Sequence, residues 1–369
     1  MVRSYVALGL LASGLSLAIA SPCSAQAPGP SVFRVAADGS AQYKTVQAAV
    51  DAVPAAGGTV LIAPGIYREQ VIINQSTVTL RGTGPNPAAT ILVDDTSQGT
   101  RGTKPSYATV HVLGSDFQAF NLTFQNDYNR THEQGFAGSQ AQALNLEGDR
   151  NILDHVSILA NQDTLYIGAR GCGQAGNRKT PPPASTPPTA QPAPLATETP
   201  CTPAPTRSYF THCVIAGNVD FIYGDGNAAF NECEIHSTLH AAGGYLTAQG
   251  KYLPDQQSTF VFNHCRLTAE PGETHVYLGR PWRPYASVVF LHTEMGAHIE
   301  PAGWREWHPG ETHNLDTAFY AEYKSSGPGA APAARDPHSH QLTAAQAKRF
   351  ETKIFLAGTD GWDPTKEAK

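Results

Sequence analysis

The residues best suited to chemistry are two aspartates that end two similar stretches of sequence. Residues 155–163 (HVSILANQD) and 212–220 (HCVIAGNVD) share a histidine, a run of small or apolar residues, an asparagine and a final aspartate, Asp163 or Asp220. Two carboxylates held close together repel when both are ionised, so a protein keeps such a pair where their protonation states differ. The pattern therefore predicts one ionised carboxylate that acts as a nucleophile and one protonated carboxyl group that acts as an acid.

A cation and two amides complete this set. Arg280 lies in a rigid segment, 278–282 (LGRPW), and would keep one aspartate ionised, with a lowered pKa, if it pairs with it. Gln140 and Gln162 can donate N–H groups to a developing oxyanion. This set suits acyl transfer without a serine, and the chain lacks the G-x-S-x-G elbow of an α/β-hydrolase. The alternatives are a structural Asp–Arg ion pair, a hydrogen-bonded glutamine ladder, and a Trp282 that only packs.

Repeated, strand-length segments must position these side chains. Runs of β-branched and aromatic residues recur, broken by Gly, Asn and Asp, with similar segments at 209–213 (YFTHC), 230–235 (FNECEI) and 262–267 (FNHCRL). Repeats of about 20 to 35 residues without regular helices between them predict a parallel β-helix. The alternative is a β-sandwich with chance similarity. Charged residues make up only 15% of the chain, which disfavours long solvated helices.

The spacing places the candidate residues on successive coils of such a helix. Gln140 precedes Gln162 by 22 residues, about one coil, and Asp163 precedes Asp220 by 57. An insertion of 36 residues, taken as 171–206, accounts for the excess and leaves about one further coil. Since stacked strands lie about 4.8 Å apart, we expect these four side chains to form one small patch.

A proline-rich segment interrupts the repeats. Residues 181–205 hold 10 of the 28 prolines, mixed with Thr and Ala, and show no periodicity. This composition predicts an extended, unpacked loop. We therefore interpret residues 26–369 as one domain with a proline-rich insertion at about 172–206. Cys172 and Cys201 flank the loop, and we expect a disulfide between them at its base.

Three further cysteines fall at matching positions of the repeats. Cys213 and Cys233 are 20 residues apart, about one coil, which favours a disulfide across the ladder and leaves Cys265 as a buried thiol. A pairing of Cys233 with Cys265 is the alternative. No cysteine pair has C-x-x-C spacing, and although His236 and His240 are four residues apart, we expect no metal site.

The first 25 residues resemble an export signal. Arg3 precedes an apolar run, 6–20, that is too short to span a bilayer easily, and small residues follow it. We expect cleavage near residue 25 and a soluble protein that is secreted or periplasmic. The alternatives are a retained membrane anchor and a lipid-modified Cys23. A net charge of −6 and the lack of a Lys/Arg cluster exclude a basic nucleic-acid binder.

Five motifs, in order along the chain, carry a resemblance to the pectin methylesterases (pectinesterases). They are 65–69 (GIYRE), 140–144 (QAQAL), 162–165 (QDTL), 220–224 (DFIYG) and 278–282 (LGRPW). Any one motif is weak, but all five in order are highly specific, and the similarity extends from about residue 33 to 330. The resemblance implies a right-handed parallel β-helix that hydrolyses methyl esters of polygalacturonate to methanol and free carboxylates, with no metal or organic cofactor. We expect a monomer.

Carried over residue by residue, the resemblance assigns catalytic roles. Asp220 would be the nucleophile that attacks the ester carbonyl. Asp163 would protonate the leaving methoxide and then activate water for the second step. Gln140 and Gln162 would hold the oxyanion.

Three residues would position the nucleophile or contact the substrate. Arg280 would orient Asp220, keep it ionised and contact the polymer, and Trp282 would stack on a sugar ring. Tyr223 replaces the second Phe of the family motif D-F-I-F-G and adds one hydroxyl near the substrate. The nearest alternative function is a related β-helix esterase or thioesterase with a non-pectin substrate. A pectin lyase or glycosidase, and a non-catalytic carbohydrate-binding solenoid, are the others.

Overall fold

The computed structural model describes residues 1–2, 31–132, 138–168 and 206–367. All strand pairings within these ranges are parallel, and neighbouring strands in a sheet come from successive coils of the chain. These residues form the right-handed parallel β-helix that the repeats predict. The alternative of a sandwich, which is built from antiparallel sheets, is therefore wrong.

The strands form three stacks along the helix axis. The first stack contains β4 (Val71–Ile73), β7 (Ala108–Val112), β9 (Gln142–Leu146), β11 (Leu165–Ile167), β14 (Ile222–Gly224), β17 (Gly244–Gln249) and β20 (Val276–Gly279). The second contains β1 (Ser31–Val35), β2 (Gly58–Ile62), β5 (Val78–Gly82), β12 (Arg207–Thr211), β15 (Asn227–Asn231), β18 (Phe260–Asn263), β21 (Ser287–Leu291), β23 (Phe319–Tyr323) and β24 (His340–Gln341). The third contains β3 (Gly65–Arg68), β6 (Thr90–Asp94), β13 (Val214–Gly217), β16 (Glu234–Ser237), β19 (Arg266–Ala269) and β22 (Glu294–Met295). Two nine-residue strands bend and serve both the second and third stacks: β8 (Gln118–Asn126) and β10 (Asn151–Leu159).

A left-handed backbone bend separates the second stack from the third in successive coils. The bend residues all adopt φ between 49° and 53°: His155, His212, Glu232, His264 and His292. Side chains larger than glycine rarely adopt this conformation, which costs roughly 1–2 kcal/mol per residue. The histidine shared by the two aspartate-containing repeats is therefore the residue at which the chain turns.

Identical side chains stack inside the helix. Phe210, Phe230, Phe262 and Phe290 lie on successive coils, with neighbouring ring centroids 4.6 Å apart and the rings nearly parallel. All four are fully buried. Each aromatic pair contributes about 0.5–1.5 kcal/mol beyond the burial of its area. The stack also fixes the strand register, because a slip of one residue would turn every ring outward.

Short helices cover the ends and one flank of the coil. The helical elements of the described residues are α1 (Val46–Asp51), α2 (Tyr128–Thr131), α3 (Ala344–Ala347) and α4 (Thr352–Phe355), with 3-10 turns at Pro87–Ala89, Asn314–Asp316, Lys348–Phe350 and Pro364–Lys366. The C-terminal segment packs Leu342 and Phe350 against Val261 and Val289 of the second stack. None of the described helices has the length and apolar character needed to cross a membrane.

The predicted disulfide between Cys213 and Cys233 is not formed. Both residues and Cys265 are buried free thiols at matching positions of three successive coils. The thiols contact backbone carbonyl oxygens instead, 3.3 Å from Cys213 to Thr211 and 3.3 Å from Cys265 to Phe230. Stacked coils hold parallel side chains about 4.8 Å apart, wider than the roughly 3.8 Å between Cβ atoms in a disulfide. The alternative pairing of Cys233 with Cys265 is wrong for the same reason.

Two sequence predictions concern residues outside the described ranges. These are the signal peptide at 1–25, of which residues 1–2 alone are described, and the proline-rich insertion with its predicted Cys172–Cys201 disulfide. The described strands on either side of the insertion are β11, which ends at Ile167, and β12, which begins at Arg207.

Candidate active site

A cleft of about 730 Å³ opens on the outer face of the first stack. The residues that the sequence predicts for catalysis or substrate binding all line it: Gln140, Gln162, Asp163, Asp220, Tyr223, Arg280 and Trp282. They come from four separate segments, and the stacking of the coils brings those segments together.

The two aspartates occupy the same point of neighbouring coils. The strand register pairs Leu165 with Ile222. Asp163 and Asp220 each precede these residues by two positions, so they lie opposite one another, as the spacing predicts. Both have left-handed backbone, with φ of 63° and 52°. The same conformation recurs at the bends between the second and third stacks, so at these two positions it marks a turn of the coil.

Arg280 binds one of these two carboxylates. Its Nε and Nη2 atoms donate to the two carboxylate oxygens of Asp220, at 2.8 and 2.6 Å. The rings of Tyr245 and Trp307 lie 4.1 and 4.2 Å from the guanidinium carbon. A two-point ion pair with aromatic contacts to the cation holds the planar guanidinium in one orientation. Asp220 is therefore held in a fixed position at the floor of the cleft.

Burial raises the pKa of both carboxyl groups, but not equally. For Asp163, burial and the negative charge of Asp220 raise the pKa well above its usual value. For Asp220, burial raises the pKa while the hydrogen bonds and charge of Arg280 oppose the rise. The prediction that Arg280 lowers the pKa of its partner below the usual value is wrong, because desolvation outweighs the ion pair. Because the hydrogen bonds of Arg280 reach Asp220 and not Asp163, Asp163 holds a proton more tightly than Asp220.

Gln140 and Gln162 bring uncommitted amide groups to the cleft. Within the described part of the chain neither side chain makes a hydrogen bond, and the buried Oε1 of Gln140 has no partner there. Their coils are tied by the backbone, since the N–H of Ala141 donates to the carbonyl of Gln162 at 3.2 Å. Amide N–H groups that are not engaged elsewhere can donate to an oxyanion.

Tyr223 takes part in a buried polar network that its predicted role as a substrate contact does not include. Its hydroxyl accepts a hydrogen bond from Gln142 Nε2 at 2.5 Å and lies 3.2 Å from the hydroxyl of Tyr107. The hydroxyl also opposes the rise in the pKa of the Asp163 carboxyl group, because it favours the ionised form. Burial raises the pKa of Tyr223 well above its usual value, so the phenol stays protonated. A phenylalanine could make none of these hydrogen bonds.

Sequence reasoning missed several residues of the site. Gln142 lies within the 140–144 motif, and its position on strand β9 could have identified it. Tyr107 and Trp307 lie in loops far from any recognised motif, and nothing in their sequence surroundings marks them. Tyr245, on β17, contacts the guanidinium of Arg280 from the neighbouring coil.

Trp282 forms one wall of the cleft. Its ring lies 6.0 Å from that of Tyr223 in an edge-to-face arrangement. The guanidinium of Arg283 lies 4.3 Å from the ring of Trp282 and 5.0 Å from that of Tyr252. The half-buried tryptophan therefore presents a flat apolar surface next to a cation.

His236 and His240, which are four residues apart in the sequence, each form a hydrogen bond with a neighbouring protein oxygen. His236 Nδ1 lies 2.8 Å from the hydroxyl of Thr268, and His240 Nδ1 lies 2.7 Å from the carbonyl of Gly243. In the described ranges, one group of side chains brings ligand atoms together as a metal ion would require: Asp154, His155 and His212. That group lies outside the cleft.

Comparison with known proteins gives the family. The pectinesterase family model matches residues 32–171 and 203–359. "Probable pectinesterase/pectinesterase inhibitor 17" from Arabidopsis thaliana is 32% identical over 342 residues, which are 90% of this chain and 58% of that protein. The chain spans about half the length of the curated relatives that it matches. The solved pectin methylesterase from carrot has a TM-score of 0.74 at 30% identity and covers 92% of this chain and 97% of its own. A pectin methylesterase in complex with a hexasaccharide has a TM-score of 0.66 at 26% identity, with 90% and 98% of the two chains covered. The chain belongs to the pectinesterase family.

Proposed function

We propose that this protein is a pectinesterase that removes methyl esters from pectin, giving methanol and free carboxylates. Membership of the family and the hexasaccharide complex of a related pectin methylesterase support the substrate class. The observation that carries the mechanism is the stacked pair of aspartates, of which Asp220 binds Arg280 and Asp163 holds a proton more tightly. Such a pair supplies a nucleophile and an acid from two residues of the same type.

In the first step, the carboxylate of Asp220 attacks the ester carbonyl carbon. The carbonyl oxygen becomes an oxyanion, and the free amides of Gln140 and Gln162 donate to it. As the C–O bond to the methoxy group breaks, Asp163 transfers its proton to the departing oxygen, and methanol leaves. The product is an anhydride between Asp220 and the galacturonate carboxyl group, and Asp163 is now ionised.

In the second step, water resolves the anhydride. Ionised Asp163 takes one proton from a water molecule, whose oxygen attacks the galacturonate carbonyl carbon. The same two amides receive the second oxyanion. When the bond to Asp220 breaks, the free galacturonic acid leaves, and it ionises in solution. Asp220 is again a carboxylate and Asp163 again carries a proton, so the cycle closes.

Local side chains must bind the polymer, because the net charge of −6 does not favour a polyanion. Trp282 and Trp307 provide flat surfaces for sugar rings along the cleft. Arg101, which also lines the cleft, and Arg283, beside Trp282, place positive charge near it for the carboxylates of partly demethylated chains. We further propose that the protein acts as a monomer outside the cytoplasm, exported by the segment 1–25.

The test is the reaction stoichiometry on highly methylated pectin. The proposal expects methanol and titratable acid to appear in equal amounts, with no new reducing ends and no unsaturated products. The same preparation is assayed on a methyl ester of a small aliphatic acid and on an acyl thioester. Faster turnover of either small substrate than of pectin would reject the proposed substrate, and reducing ends or unsaturated sugars would identify a glycosidase or a lyase.

A further inference from the structure

A cluster of two histidines and one aspartate lies on the bend between the second and third stacks. His155 Nδ1 and His212 Nδ1 lie 2.6 and 3.3 Å from the same oxygen of Asp154, Oδ1. The Asp154 side chain is only 6% exposed, whereas those of His155 and His212 are 61% and 47% exposed. A buried carboxylate thus faces two imidazoles that solvent can reach.

The left-handed bends are what bring the two imidazoles together. His155 and His212 occupy the same bend position on successive coils, with φ of 53° and 51°. Their rings are therefore stacked, with centroids 4.8 Å apart and an angle of 20° between the planes. The backbone fixes both side chains in the same direction, so little conformational entropy would be lost when they bind one ligand.

We propose that Asp154, His155 and His212 form a binding site for a divalent zinc ion. Three protein ligands of this kind, with water in the fourth position, are a common zinc arrangement. Ligand atoms around tetrahedral zinc lie about 3.3 Å apart, given metal–ligand distances of about 2.0 to 2.1 Å. The separation of 3.3 Å between Asp154 and His212 already fits, and the more exposed His155 has room to withdraw from 2.6 Å.

A second carboxylate favours one tautomer of the His212 imidazole. Glu232, at the bend of the next coil, lies 3.4 Å from His212 Nε2. A carboxylate there keeps the proton on Nε2 and leaves the lone pair of Nδ1 directed toward the site, as outer carboxylates do for zinc-bound histidines. The hydroxyl of Thr211 lies 3.1 Å from the same Nδ1 and would have to give way to the ion.

The same bend carries a matched pair without the carboxylate. His264 and His292 are also stacked, with centroids 4.7 Å apart and an angle of 19°. The residues that precede them are Asn263 and Leu291, where His155 follows Asp154. Among the described residues, no carboxylate oxygen joins this second pair of imidazoles as a metal site would require, which makes the pair an internal control.

Isothermal titration with zinc chloride tests the site, on untagged full-length protein treated with a chelator and dialysed. We expect wild type to bind one more zinc ion than His212→Ala, and His155→Ala and Asp154→Asn to lose the same ion. Glu232→Gln should keep it with about 10- to 100-fold lower affinity. His264→Ala should bind zinc as wild type does.

Two results would overturn the proposal. One is a zinc stoichiometry and affinity that His155→Ala and His212→Ala both leave unchanged. The other is equal loss of binding in His264→Ala, which would show that stacked histidines bind zinc without the aspartate. Circular dichroism of each variant establishes that it is folded, and the two histidine changes, at exposed side chains, keep the test decisive if Asp154→Asn does not fold.

Discussion

Two Arg–carboxylate pairs in this molecule make the same kind of ion pair in different places, one at the cleft and one inside the C-terminal end of the coil. Arg280 binds Asp220 through two hydrogen bonds at the floor of the cleft. Arg335 binds Glu322 near the C-terminal end of the coil, where both side chains are only 2% exposed. Arg335 also donates to three backbone carbonyls, those of Glu300, Pro301 and Gly329.

The difference shows how a functional ion pair can be told from a structural one. Arg335 joins separate loops to one strand, so its hydrogen bonds are used to hold the fold. Arg280 is held by aromatic rings, and its partner Asp220 faces a second carboxyl group across the coil. A sequence shows an arginine and a carboxylate in either case, and their surroundings distinguish the two roles.

The largest expected difference between the two pairs follows from replacing each arginine with glutamine. Arg335→Gln should lower the free energy of unfolding by about 3–5 kcal/mol, because it leaves Glu322 as an unpaired buried charge. It also removes the donors of backbone carbonyls. Arg280→Gln should lose less, since the Arg280 side chain is 18% exposed against 2% for Arg335 and its hydrogen bonds in the described part of the chain go to Asp220 alone. Urea unfolding at neutral pH measures both, and equal losses would show that Arg280 is a structural clamp as well.

The effect on activity should be the reverse, with the larger loss in Arg280→Gln and the smaller in Arg335→Gln. Arg280→Gln should lower kcat/KM on pectin roughly 10²-fold, because a displaced nucleophile loses its attack geometry. Arg280 opposes the rise in the pKa of Asp220, so its loss should also move the acidic limb of the pH–rate profile to higher pH. Folded Arg335→Gln should keep the wild-type profile. An unmoved acidic limb in Arg280→Gln would mean that the arginine does not control the ionisation of Asp220.

A smaller effect is expected on the pH dependence of the free energy of unfolding when Asp163 is replaced. The pKa of Asp163 is raised in the folded protein, so its contribution to stability is greatest below the unfolded pKa and is lost as pH rises toward the folded pKa. Asp163→Asn removes this loss, and its stability relative to wild type should increase with pH, by at most about 1.4 kcal/mol per pH unit. Thermal unfolding across a pH series measures the difference. A variant whose relative stability falls with pH would contradict the raised pKa.

The smallest effect concerns the hydroxyl of Tyr223. This hydroxyl favours ionised Asp163, so Tyr223→Phe should raise the pKa of Asp163 and move the basic limb of kcat/KM to higher pH. The loss of one hydrogen bond should change the maximal rate by less than about tenfold. Tyr107→Phe is the matched control, because the Tyr107 hydroxyl contacts Tyr223 and Gln142 and should move the limb less. A basic limb that moves to lower pH in Tyr223→Phe would reverse this assignment.

Much of the site could be predicted because a β-helix turns sequence spacing into position. A difference of about one coil between Asp163 and Asp220, once the insertion is subtracted, is enough to place them side by side. The same arithmetic aligned Cys213 with Cys233 correctly. It could not exclude their disulfide, because that depends on the distance between parallel side chains and not on their register.

Other features depend on three-dimensional surroundings that the spacing does not contain. The pKa of Asp220 is raised because burial outweighs Arg280, and the depth of a side chain is not readable from its motif. Tyr107 and Trp307 reach the cleft from loops, whose paths follow no repeat. Nothing in the sequence distinguishes Asp154, His155 and His212 from other repeat residues, because the bend geometry is what brings the three side chains together.

The most direct test of the central claim is methanol release from highly methylated pectin by Asp220→Asn and wild type, at equal concentrations of folded protein. An amide cannot replace the attacking carboxylate, so we predict a rate at least about 10⁴-fold lower. Arg335→Gln, assayed alongside, should keep a rate close to wild type per folded molecule. Methanol release by Asp220→Asn at the wild-type rate would contradict the account, because the reaction would then not use Asp220 as its nucleophile.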